Sequence, residues 1–214
     1  MRIFSTLVRR PDITREAFHA HYEGNHTPLA LPLMTGLVHY LRNHIAEVLG
    51  DTEPYFDTLS EFAYESPEAF EANVDFMKSE RGAAVRADEL TFMDKPNNHF
   101  FEVRPAQGLE SRGLALGGGT KLVLLAKAPA GVARPDFLAS HGRSLEGLLE
   151  KATSWSHWET HPAFGVTPVC DAVSLLWFAP EVFDPAAVRA WSPEADTTWR
   201  FRADERVTRR TDGS

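Results

Sequence analysis

The two halves of this chain resemble each other, and this internal repeat restricts the possible folds more than any other feature. Displacing the sequence by 119 positions aligns residues 121–141 with residues 2–22. Slightly smaller displacements continue the match through two further pairs of segments, 155–158 with 37–40 and 171–184 with 57–71. Such a repeat is typical of a chain built from two copies of one folding unit. We therefore predict repeats at 1–106 and 121–211, joined by a Gly-rich linker at 107–120.

The first half shows the pattern of four strands and two helices. Apolar and alternating stretches predict strands at 2–9, 37–45, 57–64 and 99–105. Thr14 is a candidate N-cap for a first helix that ends near Gly24, because Pro28 opposes a regular continuation. Ser66 followed by Pro67 predicts the start of a second helix. The resulting order, β-α-β-β-α-β, is that of a ferredoxin-like unit.

Two units of this kind can bury their open surfaces against each other. A four-stranded sheet with both helices on one face leaves its other face uncovered, and two such sheets can close on one another. We therefore predict an α+β protein whose two tandem ferredoxin-like units form a pseudo-symmetric, barrel-like sandwich around a cavity or core. Because one chain carries both halves, a monomer with an internal pseudo-dimer is sufficient, although a homodimer stays open.

Composition narrows the class of protein. The chain is 43% hydrophobic, and no window approaches the 18 consecutive apolar residues of a membrane span. Its net charge of −8 argues against binding a phosphate backbone, so we expect neither a nucleic-acid nor a membrane partner. The single cysteine, Cys170, is expected in the core, and its lack of a disulfide partner indicates the reducing cytoplasm.

Motifs for metals and cofactors are weak. The run Gly117-Gly118-Gly119-Thr120-Lys121 precedes a strand and lacks the ending of a phosphate-binding loop. Five of the nine histidines lie between 14 and 44. However, His19 and His21 are two positions apart on a helix and should point in nearly opposite directions. We therefore expect no metal and no other cofactor.

General acid/base chemistry is the better interpretation of these histidines, because imidazole gains and loses protons near neutral pH. His26 is the leading candidate, since it is predicted just past the end of the first helix and before Pro28. The structural alternative is a loop histidine that caps the helix C-terminus.

The second predicted strand offers a further set of polar side chains. His39 and Asn43 share one of its faces, and Tyr40 and His44 share the other. The repeat aligns His157 with His39, which would make these two histidines equivalent residues in the space between the sheets. Satisfied strand residues are the alternative. Tryptophans of the second half, including Trp158, suit either a cavity for a flat apolar ligand or ordinary packing.

The first half resembles the EthD family of the dimeric α+β barrel superfamily. The matching segments are TREAF at 14–18, HYEGNHTPL at 21–29, LVHYLRNH at 37–44, SPEA at 66–69 and DELTFMD at 88–94. The resemblance covers about residues 2–104, and the second half is a weaker copy. It implies ferredoxin-like units paired across their sheets as a dimeric α+β barrel, with a pocket between sheet and helices.

The resemblance also implies a site. The histidine of the family pattern corresponds to His26, while Tyr22 replaces the usual tryptophan beside it. Leu145 occupies the repeat position equivalent to His26, so only one of two pseudo-symmetric pockets would keep that group, although His141 lies four residues earlier. Relatives include dehydratases or decarboxylases of aromatic polyketides, and neighbouring families include cyclases, cofactor-free oxygenases and haem-dependent enzymes.

These arguments lead to one functional hypothesis with two alternatives. We predict a cofactor-independent lyase or isomerase, such as a dehydratase, cyclase or decarboxylase, acting on an apolar aromatic or polyketide-like small molecule. The alternatives are a cofactor-free or haem-dependent monooxygenase and a non-catalytic small-molecule binding protein. The predicted catalytic residues are His26 and His39. The predicted substrate-binding residues are Tyr22, Tyr40, Asn43, His44, His141, His157 and Trp158.

Overall fold

A computed structural model describes residues 1–112 and 119–209, the side chain of residue 209 excepted. Its strands are β1 Arg2–Leu7, β2 Leu37–Val48, β3 Thr58–Tyr64, β4 His99–Pro105, β5 Thr120–Lys127, β6 Ser154–Pro162, β7 Ala172–Phe178 and β8 Thr197–Arg209. Its α-helices are α1 Arg15–His21, α2 Thr27–Ala30, α3 Pro67–Lys78, α4 Ala83–Phe92, α5 Arg134–Leu149 and α6 Pro185–Ala190. The protein is therefore a mixed α+β fold. None of the described helices is both long and apolar enough to span a membrane.

The chain divides into two compact units. The first comprises 1–44, 55–100 and 206–214, and the second comprises 45–54 and 101–205. The predicted boundaries at 1–106 and 121–211 stay a prediction, as does the arrangement of tandem ferredoxin-like units in a barrel. Part of the predicted linker, residues 113–118, and the last two residues of the predicted second repeat lie outside the described residues.

The first unit is built on the antiparallel strand order β1-β3-β2. Residues directly opposite one another share a face of such a sheet. One face carries Tyr40 opposite Phe62, and here α1 and α4 supply Phe18 and Phe92 to a buried apolar cluster. The residues that alternate with these along the same strands lie on the other face of the sheet.

Helix starts in this unit agree with the sequence, but the predicted end of the first helix is wrong. Thr14, the residue before α1, caps this helix by accepting a hydrogen bond from Ala17 N. Ser66, the residue before α3, caps that helix in the same way. The first helix does not stop near Gly24. It continues as a π-helical turn over Tyr22–His26 and then as α2. Pro28 lies in the first turn of α2, where its missing N–H is tolerated.

The second unit has the strand order β8-β5-β7-β6-β4, and the described pairs are antiparallel. Helix α5 covers one face, where Leu145 and Leu148 pack against Leu122, Leu124 and Leu176. The helix is continuous through 142–147. Cys170 is buried, as predicted, and burial raises the pKa of its thiol, so it has no nucleophilic character at neutral pH.

Candidate active site

The π-helical turn at Tyr22–His26 determines which histidines meet in the first unit. The Thr27 N–H donates to Tyr22 O, a bond that spans five residues instead of four. In a regular α-helix, residues five apart point about 140° away from each other. The wider π turn places His21 and His26 on the same side of the helix, toward α4. Such turns occur often at functional sites.

Both histidines bind one carboxylate on α4. His26 Nδ1 lies 2.8 Å from Asp88 Oδ2, and His21 Nε2 lies 2.8 Å from Asp88 Oδ1. An ionised carboxylate only accepts hydrogen bonds, so both ring nitrogens donate. The His26 proton is therefore on Nδ1, which leaves Nε2 as a lone-pair acceptor. Within the described parts of the chain, no side chain or backbone group bonds that nitrogen.

The surroundings of His26 are largely apolar. The His26 side chain is only 8% exposed, and the rings of Tyr22 and Phe92 have centroids 5.4 and 5.3 Å from its own. Phe92 also packs against the ring of His21, with ring centroids 4.5 Å apart. His26 is thus a nearly buried imidazole held at one nitrogen and available at the other. The sequence analysis singled out this residue but placed it in a loop beyond the helix, whereas it lies in the π-helical turn.

Two tyrosines and a serine form a buried hydroxyl cluster beside this histidine pair. Tyr22 Oη bonds the hydroxyl of Tyr40 and lies 3.0 Å from Ser60 Oγ on β3. Burial raises the pKa of Tyr22 to about 12 and raises the pKa of Tyr40 well above its usual value. Both phenols therefore stay protonated at physiological pH, and they can donate hydrogen bonds but cannot act as bases.

A charged group lies on the same face of the sheet. The guanidinium of Arg42 donates to both carboxylate oxygens of Glu23, at 2.9 and 2.7 Å, and His44 Nε2 lies 2.7 Å from Glu23 Oε1. Burial alone would raise the pKa of Glu23. The hydrogen bonds from Arg42 and His44 outweigh burial and hold this pKa at about 2. The other nitrogen of His44 bonds Thr58, so neither ring nitrogen is available to a ligand.

His19 is separate from the His21 and His26 pair, as the helix geometry predicts. Its Nε2 lies 3.2 Å from the backbone oxygen of Asp57, and its ring is 4.2 Å from that of His44. Burial, with the nearby charge of His44, lowers the pKa of His19 to about 4. His19 is therefore neutral at pH 7. Asp57 accepts hydrogen bonds from Arg9 and Arg15, so it is a structural group.

The structure does not bring His39 and Asn43 together with His26. On β2 they alternate with Tyr40 and Arg42, so they lie on the face of the sheet opposite the helices. Asn43 is fully buried and donates to Glu61 Oε1 at 2.7 Å. The predicted catalytic pair of His26 and His39 is thus divided by the sheet, because successive strand residues point to opposite sides.

In the second unit, His141 and His157 meet at a serine. His141 Nε2 and His157 Nδ1 each lie 2.9 Å from Ser174 Oγ. Burial lowers the pKa of both histidines to about 4, and for His141 the neighbouring His157 adds to this. Trp158 follows His157 along β6 and lies on the opposite face, where its Nε1 donates to Ser156.

The predicted equivalence of His157 with His39 is wrong. The register pairs His157 with Ser174 in the second unit and Arg42 with Ser60 in the first. Ser174 and Ser60 correspond in the repeat, so His157 matches Arg42 and lies on the helix-covered face. The sequence alignment of the second strands was therefore displaced by three residues, because short apolar strands match at several offsets.

A separate pocket of about 460 Å³ lies in the second unit, and its walls include Lys121, Trp177 and Glu205. None of the predicted site residues lines it. Across the described 1–112 and 119–209, no three His, Cys, Asp or Glu side chains are placed to hold a metal ion.

The candidate site of the first unit also contains Asp88, Glu23, Arg42 and Ser60. The sequence analysis assigned no catalytic or binding role to any of these four residues. Asp88 is 62 residues from His26, and α4 shows no periodicity clear enough to predict which side chains face α1. The only available signal was the presence of Asp88 in a segment that resembles the EthD pattern.

Solved structures share the fold of this chain. A proposed monooxygenase from Fusobacterium nucleatum subsp. nucleatum has a TM-score of 0.54 at 8% identity, covering 98% of this chain and 93% of its own. An anthrone oxidase-like protein has a TM-score of 0.54 at 13% identity, covering 96% and 92%. A proposed monooxygenase from Lactobacillus acidophilus NCFM has a TM-score of 0.53 at 5% identity, covering 97% and 95%. At these identities the likeness shows the fold alone.

Sequence comparison gives a more specific result. No curated protein matches the chain significantly. The model of the EthD domain matches residues 10–96, a range that contains α1, the π-helical turn, α4 and the His21, His26 and Asp88 side chains. Residues 10–96 of this chain are therefore similar to the EthD domain.

Proposed function

We propose that this protein is a cofactor-independent lyase or isomerase, of the dehydratase, cyclase or decarboxylase type, in which His26 transfers the proton. The observation that carries the proposal is the bond between His26 Nδ1 and Asp88 Oδ2 at 2.8 Å, with Nε2 of the same ring available. A carboxylate at one nitrogen fixes the tautomer and orientation of an imidazole and stabilises the imidazolium that forms when the other nitrogen accepts a proton.

The chemical step follows from this geometry. His26 Nε2 accepts a proton from the substrate, and the positive charge that develops on the ring lies against the Asp88 carboxylate. The same nitrogen returns the proton to a leaving group or to the product. A histidine in this role contributes on the order of 10²–10⁴-fold to turnover.

The apolar contacts of His26 support the substrate class. Phe92 and Tyr22 pack on its ring, and both phenol groups near it are held protonated by burial. A neutral aromatic or polyketide-like molecule can approach such a ring without the cost of removing a charge from water. Tyr22 and Tyr40 are the proposed hydrogen-bond donors to its carbonyl oxygen.

The test is turnover of a panel of aromatic hydroxyketones and polyketide-like β-ketoacids, followed by mass spectrometry, with wild type, His26→Gln and His161→Gln. His161 is a histidine paired with a carboxylate, Glu159, in the second unit, which makes it a matched control. We expect His26→Gln to lose at least ~10²-fold in turnover while His161→Gln keeps wild-type activity. Full activity in a folded His26→Gln variant would refute the role of His26.

The same samples test the two alternatives. Oxygen consumption that depends on substrate, or a Soret band after haem addition, would replace the proposal with an oxygenase. Recovery of unaltered, tightly bound ligand after prolonged incubation would replace it with a binding protein.

We further infer that the two halves are tandem ferredoxin-like units of one pseudo-symmetric α+β barrel. The order β-α-β-β-α-β recurs in both halves. In each half a side chain from the first helix bonds a serine on the third strand, Tyr22 to Ser60 and His141 to Ser174. Sedimentation equilibrium would distinguish the monomer with an internal pseudo-dimer from the homodimer.

A further inference from the structure

The face of the second unit's sheet that lies opposite α5 carries a buried charged pair beside a tryptophan. Lys121 on β5 lies directly opposite Trp177 on β7 and opposite Ala203 on β8, so these side chains share one face. Glu205, two residues beyond Ala203 on the same strand, shares that face as well. Leu122 alternates with Lys121 and packs on the other side, in the core covered by α5. The charged pair is therefore separate from that core.

The charges around the pocket of about 460 Å³ balance one another. Lys121 Nζ lies 2.6 Å from Glu205 Oε2, and the two side chains are only 2% and 10% exposed. Lys121 Nζ also lies 4.6 Å from the centroid of the Trp177 ring. Of the other wall residues, Arg202 and Asp204 carry opposite charges. A ligand with a net charge would lose its water here without meeting an excess of the opposite charge, so the wall favours an uncharged ligand.

Trp177 adds a hydrogen-bond donor that the described protein leaves unsatisfied. The residue is 2% exposed, and its Nε1 is buried without a hydrogen-bond partner among residues 1–112 and 119–209. By contrast, Trp155 Nε1 donates to Glu110 O, and Trp191 Nε1 donates to Ser144 O. A buried N–H group without a partner is destabilising, and a ligand oxygen that accepts from it would remove that cost.

We propose that this pocket is a second small-molecule site, which binds an uncharged molecule through a carbonyl oxygen that accepts a hydrogen bond from Trp177 Nε1. A carbonyl oxygen satisfies the indole without bringing a new donor that would need a partner of its own. The volume lies within the range of ordinary ligand sites. The indole ring, Ala46 and Ala203 offer apolar contacts to the body of the ligand.

This site is independent of the proposed catalytic role of His26. It lies in the second unit, and none of its wall residues belongs to the histidine site of the first unit. Loss of turnover in His26→Gln therefore says nothing about this pocket, and an absence of binding here leaves the catalytic proposal intact.

The test is an NMR titration of the full chain labelled with ¹⁵N-tryptophan, with acetophenone as the probe. Ethylbenzene is the matched control without the oxygen, and benzoate is the matched control with a negative charge. We expect acetophenone to move the Trp177 indole resonance downfield to saturation, because its oxygen accepts from that N–H. Its dissociation constant should be ~3–10-fold lower than that of ethylbenzene, as one net hydrogen bond provides. Benzoate should bind more weakly than acetophenone.

Three variants locate the effect. Trp177→Phe identifies the Trp177 resonance and removes the donor, and calorimetry should then give acetophenone no advantage over ethylbenzene. Ala46→Phe obstructs the pocket from an exposed wall position and should abolish the acetophenone shift while Trp177 stays in place, which tests the site even where Trp177→Phe fails to fold. Trp155→Phe removes an indole that already has a partner and should leave acetophenone binding unchanged.

The inference is overturned by a Trp177 resonance that does not move with acetophenone, or that moves equally with ethylbenzene. Tighter binding of benzoate than of acetophenone would also overturn it, because the pocket would then be an anion site. An acetophenone shift that persists unchanged in Ala46→Phe would place the binding elsewhere and reject this pocket.

Discussion

The side chains that contact the matching serines of the two units differ in chemical type. In the first unit the phenol of Tyr22 reaches Ser60, and charged groups, Arg42 and Glu23, lie beside it. In the second unit, at the position 119 residues later, the imidazole of His141 reaches Ser174. There the place of Arg42 is taken by His157, which is neutral at pH 7 because burial lowers its pKa to about 4.

The helices above these serines differ as well. The first helix contains the π turn that brings His26 beside His21, whereas α5 is a regular helix with buried Leu145 at the matching position. A group suited to proton transfer is therefore present in the first unit, and the described part of the second unit offers only apolar packing at that position. The comparison shows a histidine paired with a carboxylate in the first unit and neutral, buried histidines in the second.

The largest difference in stability between matched variants of the two units should come from the ion pair of Arg42 and Glu23 in the first unit. Arg42→Ala leaves Glu23 without its guanidinium partner and removes a bond to Thr208 Oγ1. Because Arg42 is buried, we expect a loss of ~3–5 kcal/mol in the free energy of unfolding, measured with urea. The matched change in the second unit is Arg202→Ala, whose ion pair with Glu47 is 3.3 Å long and exposed. A loss under ~1 kcal/mol is expected there, and equal losses would contradict the comparison.

The neutral histidines of the second unit should make it sensitive to acid. His141 and His157 have pKa values of about 4 in the folded protein, against ~6.5 when unfolded. The folded state therefore binds fewer protons, so this stability is fully present above pH ~6.5 and is lost as the pH falls through 4. Each such histidine adds at most ~1.4 kcal/mol per pH unit to the slope.

His141→Tyr introduces the residue of the first unit and removes one of these histidines. We expect the slope of unfolding free energy between pH 6.5 and about 4 to fall by close to one proton. His19→Gln provides a comparison from the first unit, since burial also lowers the pKa of His19 to about 4. An unchanged slope in His141→Tyr would show that the buried His141 is not the acid-sensitive group.

The smallest difference in stability is expected between variants of the two serines, Ser174 and Ser60. Ser174→Ala leaves ring nitrogens of both His141 and His157 without their partner, and we expect it to cost ~1–3 kcal/mol. Ser60→Ala should cost ~1 kcal/mol or less, because Tyr22 keeps its bond to Tyr40. Chemical denaturation of both variants gives the two values, and a larger loss for Ser60→Ala would reverse the predicted order.

Much of the local structure of this protein could be predicted because it depends on residues close in sequence. The caps at Thr14 and Ser66 need only a side-chain oxygen and the next helical turn, and both helices start where predicted. The strand at 99–105 also agrees with the observed β4. The predicted end of the first helix was wrong because Pro28 was expected to stop it. The π turn just before Pro28 changes the hydrogen-bond pattern, so the helix continues without an N–H group from Pro28.

The site was predicted less completely. His26 was identified by its neighbours in sequence, but its carboxylate partner is 62 residues away on a helix with no clear pattern. His39 and Asn43 were assigned to the same site because they are close in sequence to Tyr40. On a strand, closeness in sequence places alternate residues on opposite faces, and here the sheet lies between them and His26.

The sequence by itself determined the order of helices and strands and the similarity of residues 10–96 to the EthD domain, and it singled out His26 as a candidate. Tertiary structure alone decided that Asp88 orients His26, that His21 shares the same carboxylate, and that His157 faces a helix with His141. The physical reason is the range of the interactions. Caps and periodicity are set within a few residues, whereas a shared carboxylate depends on how separate helices pack and on a single extra residue in one helical turn.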